Sequence, residues 1–446
     1  MSEIKIGRPR GTYDLEGENY NFFNFLRENA FKEAKSLGFT PIETPLFEER
    51  VIFERSMGNA SDTVAKEMYK VERLDRGMEE EKKESALALR PEYTAGVVRA
   101  VLENGLLWQK KPLLLSYFGP VFRYNRPQKG RFRQFWQFGV EVLGKSESSF
   151  DALVIFLAWR ILKNLGLEKE IVLEINSLGC EECRPKIKRA LLNYYQKYLT
   201  HLCPVCQRRI KESPLRLLDC KEEKCQTLKS GAPLIVDSLC QECQRDFKEV
   251  LESLDDLGIK YDLNPHLVRG LDYYTKTTFE IRGREDERSQ NSLLGGGRYD
   301  ELVELLGGPK TPAVGFAMGV ERVLELSREK GLKLKEEKGP DICLAQIGEK
   351  ARRRILKLLP SLRQAGYSVM LNLSKDGIKS QITTADKIKA KLCLIMGQRE
   401  VIDNTIILRN MDEGSQESIN LGELATILKK KLKNRKNPAE LNPRGL

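Results

Sequence analysis

The chain has 446 residues, a net charge of +11 and a hydrophobic fraction of 41%, which predicts roughly two to four domains and favours a polyanionic partner. No run of about 18 apolar residues appears and the start, MSEIKIGRPRGTYD, lacks a secretory h-region, so neither a membrane span nor export is expected. With only His201 and His266 as histidines, arginines and carboxylates must carry any chemistry, and the ten cysteines are expected in a reducing cytoplasm, available for metal.

Residues 17–37 place Phe22, Phe25, Leu26, Ala30, Ala34 and Leu37 at helical spacing, with Gly38 as a stop. FTPIETPLFEE then reads as extended, broken by Pro41 and Pro45. EEEKKE at 79–84 reads as a solvated surface loop. LALRPEYT ends a strand and opens a helix to about residue 104, with Glu92 and Thr94 at its start, where either is suited to capping.

Residues 118–142, FGPVFRYNRPQKGRFRQFWQFGVEV, read as two strands joined by a basic loop. In the second strand Arg133, Phe135, Gln137, Gly139 and Glu141 alternate with the apolar face. In the first, Arg123 and Asn125 share a face. Arg126, Lys129 and Arg131 stand in the loop. Arginine, glutamine and glutamate among aromatics suit a pocket for a polyanion and a small zwitterion together. A hairpin with a solvated basic tip is the plainer alternative. A helix over 150–165 and a strand at 170–176 follow.

From Cys180 the composition shifts to four cysteine pairs: Cys180 and Cys183, Cys203 and Cys206, Cys220 and Cys225, Cys240 and Cys243. Eight thiolates would make two closed, structural zinc sites of four ligands each, against the plainer reading of thiols that hold no ligand. An inserted module leaves and re-enters its parent at neighbouring points. That favours a nested arrangement, the first pair with the last, over a consecutive one. The parent pattern returns with LVRGLDYYTKTTFE, then LLGGGRYDELVELLGG, whose consecutive glycines let a backbone approach a ligand or another strand. AVGFAMGVERVLEL puts Arg322 in the first turns of a helix. After a charge-rich linker, strands and helices alternate from Asp341, as in a small α/β domain with a largely parallel sheet.

These motifs resemble those of the histidyl-tRNA synthetases, which are class II aminoacyl-tRNA synthetases. KSLGFTPIETPLFE, FRYNRPQKGRFRQFWQFGVE and AVGFAMGVERVL are similar to the three class II motifs in order. LVRGLDYYTKTTFE and LLGGGRYDELVELLGG match segments particular to the histidine enzymes. The resemblance covers the chain to about residue 432. It implies an α+β fold: an antiparallel-sheet catalytic domain (1–178 and 259–328), a cysteine-rich insertion (179–258), a linker (329–340) and an α/β anticodon-binding domain (341–432). A basic tail without fixed structure (433–446) would follow.

The resemblance also implies a histidine-tRNA ligase acting on L-histidine, ATP with Mg2+ and tRNA-His, as a homodimer built on the first motif. Arg123 would hold the ATP α-phosphate, Arg322 the far end of ATP, and Asn125 the adenine, where a glutamate is usual. Glu92, Thr94, Gln137 and Glu141 would bind histidine, with Tyr273 and Tyr274 lining the imidazole pocket. Arg269 would stabilise charge at the reacting phosphorus. Tyr93, where glycine is usual, would alter the loop beneath the amino-acid pocket. A catalytically inactive, synthetase-like regulatory subunit of histidine biosynthesis is the alternative, but such paralogues usually lack the last domain and degrade RGLDYY. A zinc-stabilised RNA-binding protein would not carry the ATP motifs in order.

Overall fold

The structure, a computed structural model, describes residues 6–58, 63–72, 86–271, 273–284, 292–332, 339–372 and 377–432. The charge run at 79–84, residues 333–338 of the expected linker and the expected tail at 433–446 lie outside them. The chain divides into two compact units, Met1–Leu332 and Lys333–Leu446.

In the first unit, α1 (Gly17–Ser36) buries Phe22, Phe23, Leu26, Ala30 and Ala34, a stripe at three- and four-residue spacing. Phe25, on the opposite side, stays exposed. Gly38, at φ +87°, ends the run in the left-handed conformation that favours glycine. Then come β1 (Thr40–Pro41), β2 (Phe47–Glu49), α2 (Arg50–Met57), β3 (Lys70–Val71) and β4 (Leu87–Leu89). Helix α3 (Thr94–Glu103) and the single turn α4 (Leu106–Gln109) lead into the hairpin. Its strands β5 (Leu113–Phe122) and β6 (Gln134–Leu143) pair along their full length. Because β5 stops at Phe122, Arg123 and Asn125 stand in the connection beyond it, not on one strand face as the alternation had implied.

Helix α5 (Ser149–Asn164) and β7 (Ile171–Ser177) follow. The cysteine-rich stretch is helical: α6 (Cys183–Gln196), α7 (Pro204–Glu212), α8 (Glu223–Lys229) and α9 (Gln241–Asp256). A 3₁₀ turn, Pro214–Asp219, lies between α7 and α8. The parent sheet resumes with β8 (Asp262–Leu263), β9 (Thr275–Gly283) and β10 (Ser292–Arg298). It closes with the turn α10 (Leu302–Leu305), β11 (Ala313–Gly319) and helix α11 (Val320–Glu329).

One sheet runs β1-β5-β6-β11-β10-β9-β7-β8. Its six inner strands are antiparallel, but β1 pairs parallel with β5, and β8 parallel with β7. The expected antiparallel sheet is therefore mixed at both edges. Each edge strand is two residues long, too short to leave a period in the sequence. Strands β2, β4 and β3 form a separate small antiparallel sheet.

The second unit contains β12 (Ile342–Gln346), α12 (Glu349–Gln364), β13 (Val369–Leu371), α13 (Ile378–Lys387) and β14 (Leu392–Met396). Then come α14 (Gln398–Asp403), β15 (Thr405–Asn410), β16 (Gln416–Asn420) and α15 (Leu424–Lys431). The strand order is β13-β12-β14-β15-β16, parallel across the first three and antiparallel beyond. The central β12 and β14 are buried along their whole length, as strands covered on both faces must be. Separate apolar clusters cover the two faces, one around Leu344 and Leu394 and one around Cys343 and Cys393.

Candidate active site

A cavity of about 410 Å³ opens on the first unit's large sheet. Its walls come from the start of α3, from β6, from the segment before β9, from β10 and from α11. The residues expected to hold histidine and ATP line it, except Glu141, which sits just beneath; of Gly295, Gly296 and Gly297, which the resemblance implies as its floor, Gly295 is on the wall and the other two are not.

One half of the cavity is acidic and aromatic. Glu92 caps α3: its carboxylate accepts the Thr94 N–H at 2.7 Å and the Ala95 N–H at 2.9 Å. It lines the cavity as well, so the carboxylate that caps α3 also borders the open space. Burial pushes its carboxyl upward, against the pull of those two amides. Glu141 is buried and receives hydroxyls from Thr94 at 2.8 Å, Tyr117 at 3.2 Å and Tyr299. Burial raises its carboxyl to about 8. Gly315 opposes it across the sheet, and a Cβ there would come within 1.9 Å of the Glu141 carboxylate. Tyr273 and Tyr274 lie against each other with ring centres 4.7 Å apart and planes tilted by 38°, and Tyr299 meets Tyr273 edge-on. The Gln137 Oε1 is buried without a protein partner, an acceptor available to a ligand.

The raised Glu141 carboxyl has a signed consequence. Its folded-state value, about 8, exceeds the ordinary 4.5. The folded chain therefore keeps a proton that the unfolded chain releases. This contribution is full below the ordinary value and is lost as pH rises through the folded one. The melting midpoint of the wild type should fall relative to that of Glu141→Gln as pH rises between those values. Parallel melting profiles for the two proteins would contradict the assignment.

The other half is cationic. Arg123 donates through Nε to the Pro91 carbonyl at 2.9 Å and lies over the Phe135 ring, 5.5 Å from its centre. Arg322 donates to the Ser292 carbonyl at 2.6 Å. Burial, then Arg131 and Arg123, lower it to about 10. Arg269 pairs with Glu280 at 2.6 Å and lies 5.8 Å from the centre of the Tyr274 ring. It rests flat on Gly295, where any Cβ would fall 1.9 Å from the guanidinium. Consecutive glycines in β10 are thus required by an arginine as well as by a neighbouring strand. Asn125 lines this half too.

Tyr93 does not line the cavity. It is fully buried, stacked on Tyr117 with ring centres 4.3 Å apart, under the Arg90 guanidinium and bonded to Glu43 at 3.0 Å. The larger residue is accommodated beneath the pocket, where Gly119 leaves room for its hydroxyl. Arg298 is also structural: it pairs with buried Asp151 at 2.6 Å.

Several contributors have no local signature in the sequence. Glu321 accepts the Trp136 N–H at 2.9 Å and the Tyr13 hydroxyl, and burial lifts it to about 7. Arg209 and Arg216 reach the cavity wall from the cysteine-rich helices. Nothing in their local spacing distinguishes them from solvated helix charge.

The eight paired cysteines gather into two groups, Cys180, Cys183, Cys240 and Cys243, and Cys203, Cys206, Cys220 and Cys225. Within each group the sulfurs all lie within 4.8 Å of one another. Four thiolates at about 2.3 Å from zinc stand about 3.8 Å apart at the corners of a tetrahedron. The Cys180–Cys183, Cys180–Cys240 and Cys203–Cys220 separations are 3.7, 3.9 and 3.8 Å. Backbone N–H groups of Cys206 and Cys243 point at the sulfurs of Cys203 and Cys240, which cap α7 and α9. Such donors favour thiolates. The donor set and its spacing fit tetrahedral zinc.

Residues 11–323 match the family model described as histidyl-tRNA synthetase, and residues 341–431 match an anticodon-binding domain. The histidine–tRNA ligase of Desulforamulus reducens is 41% identical over 422 residues, 95% of this chain and 98% of that protein. That of Dehalococcoides mccartyi is 41% identical over 424 residues, 95% and 99% of the two chains. Among solved structures, apo histidyl-tRNA synthetase from S. aureus superposes with a TM-score of 0.77 at 34% identity, covering 95% of this chain and 100% of that one. A Bacillus halodurans protein, named as an ATP phosphoribosyltransferase regulatory subunit/histidyl-tRNA synthetase, shares the fold (TM-score 0.60, 23% identity, 88% and 98% of the chains). The synthetase model spans well over half of the chain and these ligases match nearly all of it at 41% identity, so the chain belongs to the histidyl-tRNA synthetase family.

Proposed function

We propose that the chain is a histidine–tRNA ligase, which activates L-histidine with ATP and transfers it to tRNA-His. The observation that carries this reading is the single cavity with Glu92, Gln137, Tyr273 and Tyr274 on one side and Arg123, Arg269 and Arg322 on the other. In the first step a histidine carboxylate oxygen bonds to the α-phosphorus, the bond from that phosphorus to the bridging oxygen breaks, and pyrophosphate leaves. No proton moves, so positioning and cations suffice. Arg123 holds the α-phosphate, Arg322 the distal phosphates, and Arg269 offsets the charge gathering at the reacting phosphorus. Asn125 accepts from the adenine amino group with an amide oxygen in place of a carboxylate. Glu92 and Gln137 receive the histidine ammonium. Glu141 aligns Thr94 and Tyr299 around the imidazole pocket. In the second step a 3′-terminal ribose hydroxyl oxygen of the tRNA bonds to the carbonyl carbon, the bond from that carbon to the phosphate oxygen breaks, and the hydroxyl proton leaves with the departing AMP phosphate.

Magnesium would enter with ATP and screen its phosphates. Glu67, on the cavity wall, is an oxygen donor of the type it takes. The second unit would bind the anticodon arm. The inactive regulatory alternative has no observation in its favour, since Arg269, Tyr273 and Tyr274 stand in the cavity and the second unit is present. Free cysteines at thiolate spacing accord with a reducing cytoplasm. No helix among the described residues is long and apolar enough to cross a membrane. Labelled histidine should pass to tRNA-His in the presence of ATP; failure with active-site-competent protein and authentic tRNA-His would reject the reading.

Each cysteine group would hold one structural zinc ion. Both sites are closed by four protein ligands, so they stabilise the small helical module and take no part in the bond changes. Elemental analysis should find close to two zinc ions per chain, and Cys240→Ser should remove one. Metal-free protein with an ordered module would refute this.

A homodimer is proposed from a separate feature. Around the small sheet, Leu46, Phe47, Val51 and Val71 are exposed apolar side chains, and Leu46 and Phe47 lie in the segment that resembles the first class II motif. An apolar surface of this kind suits a two-fold interface. Light scattering should give about twice the chain mass, and an active monomer would contradict it.

A further inference from the structure

The segment between β8 and β9 carries Arg269, Gly270, Tyr273 and Tyr274, and none of its described residues belongs to a helix or strand. Its start is tied by backbone bonds at Asn264 and Leu267, and farther on side chains bond the Gly270 and Tyr274 carbonyls. Arg216 lies on the 3₁₀ turn Pro214–Asp219, which ends directly at Cys220 of the outer cysteine group. It is buried, and its Nη2 donates to the Gly270 carbonyl at 3.1 Å. Arg184 follows Cys183 of the inner group. Its Nη2 donates to the Tyr274 carbonyl at 2.8 Å, while its Nη1 pairs with Glu301 at 3.0 Å. Between module and segment lies a cavity of about 130 Å³, with both arginines in its lining together with Arg269, Leu271 and Tyr274.

We propose that Arg184 and Arg216 are positioning residues that fasten the Arg269–Tyr274 segment to the cysteine-rich module, so that each cysteine group sets the geometry of the catalytic cavity. The module thereby acts on amino-acid activation, beyond any contact with tRNA. Guanidinium-to-carbonyl bonds are charge-assisted and directional, which suits them to fixing a backbone that no ladder holds. Each arginine is itself anchored within four residues of a cluster cysteine. Order imposed by a bound metal would therefore pass to the carbonyls that flank Arg269 and the tyrosines. The proposal rests on the ligase reading, because Arg269 must belong to the activation step.

The test is histidine-dependent ATP–pyrophosphate exchange with the full chain. Arg216→Ala should lower kcat roughly tenfold, within the range that a displacement of about 1 Å produces. The KM for ATP should hold, since Arg123 and Arg322 stand on other elements. Zinc content and melting midpoint should also hold, and Arg216→Lys, which keeps a charged donor, should recover part of the loss. Removing the metal from wild-type protein with a chelator should lower kcat at least as far, and added zinc should restore it. Unchanged exchange in Arg216→Ala, or in metal-stripped wild type, overturns the proposal. So does a loss in Arg216→Ala accompanied by lost zinc or a lower melting midpoint, for Arg216 would then serve only the module's fold. A wild type without histidine-dependent exchange overturns the ligase reading and this proposal with it, whereas an active wild type beside an unchanged variant overturns this proposal alone.

Discussion

Arg269→Ala is expected to lower histidine-dependent ATP–pyrophosphate exchange by roughly 100-fold or more, the scale of losing one contact made mainly in the transition state. The guanidinium is held by Glu280 at 2.6 Å and lies against Gly295, so its position is set before substrate arrives. Charge at the α-phosphorus oxygens grows as the carboxylate attacks, and a fixed cation answers it without reorganising. The KM for histidine should rise less than kcat falls, because Gln137, Glu92 and the paired tyrosines remain. Glu280 would be left with an uncompensated charge, so Glu280→Gln in the same background separates that effect from the loss of the cation. A variant that keeps near-normal exchange would remove Arg269 from its assigned role.

The second large effect concerns the second unit. Deleting residues from Asp341 onward is expected to lower aminoacylation of tRNA-His by roughly 100-fold or more, while exchange falls only a few-fold. Met1–Leu332 is a compact unit and contains every residue that lines the cavity. In the intact protein, tRNA affinity should fall steeply as salt rises, because phosphate contacts dominate binding to a chain of net charge +11. Equal loss of both steps on deletion would instead assign the unit a part in folding or dimerisation.

Much of the cavity was legible because β6 is long and its alternate positions fall on one face. Phe135 and Gln137 face the ligand side, and Glu141 lies on the same face one layer deeper, as the period of two requires. The nested grouping of cysteines was legible from topology, since β7 and β9 pair where the module departs and returns. Other features depend on contacts that no local pattern encodes. Arg216 and Gly270 are 54 residues apart, and Arg184 and Tyr274 are 90 apart. Glu280 is one of several polar residues alternating along β9, and only the fold selects it as the partner of Arg269. The parallel edges of the large sheet rest on strands of two residues, below the length at which alternation registers. Tyr93 was legible as a departure, but its direction, downward onto Tyr117, followed from the space left by Gly119.

The central claim is that the cavity activates histidine with ATP. The most direct measurement is amino-acid-dependent ATP–pyrophosphate exchange by the purified full-length chain, run in parallel with each standard amino acid and magnesium. Exchange with L-histidine far above every other amino acid is expected. Exchange with none of them, or with another amino acid in preference to histidine, would contradict it.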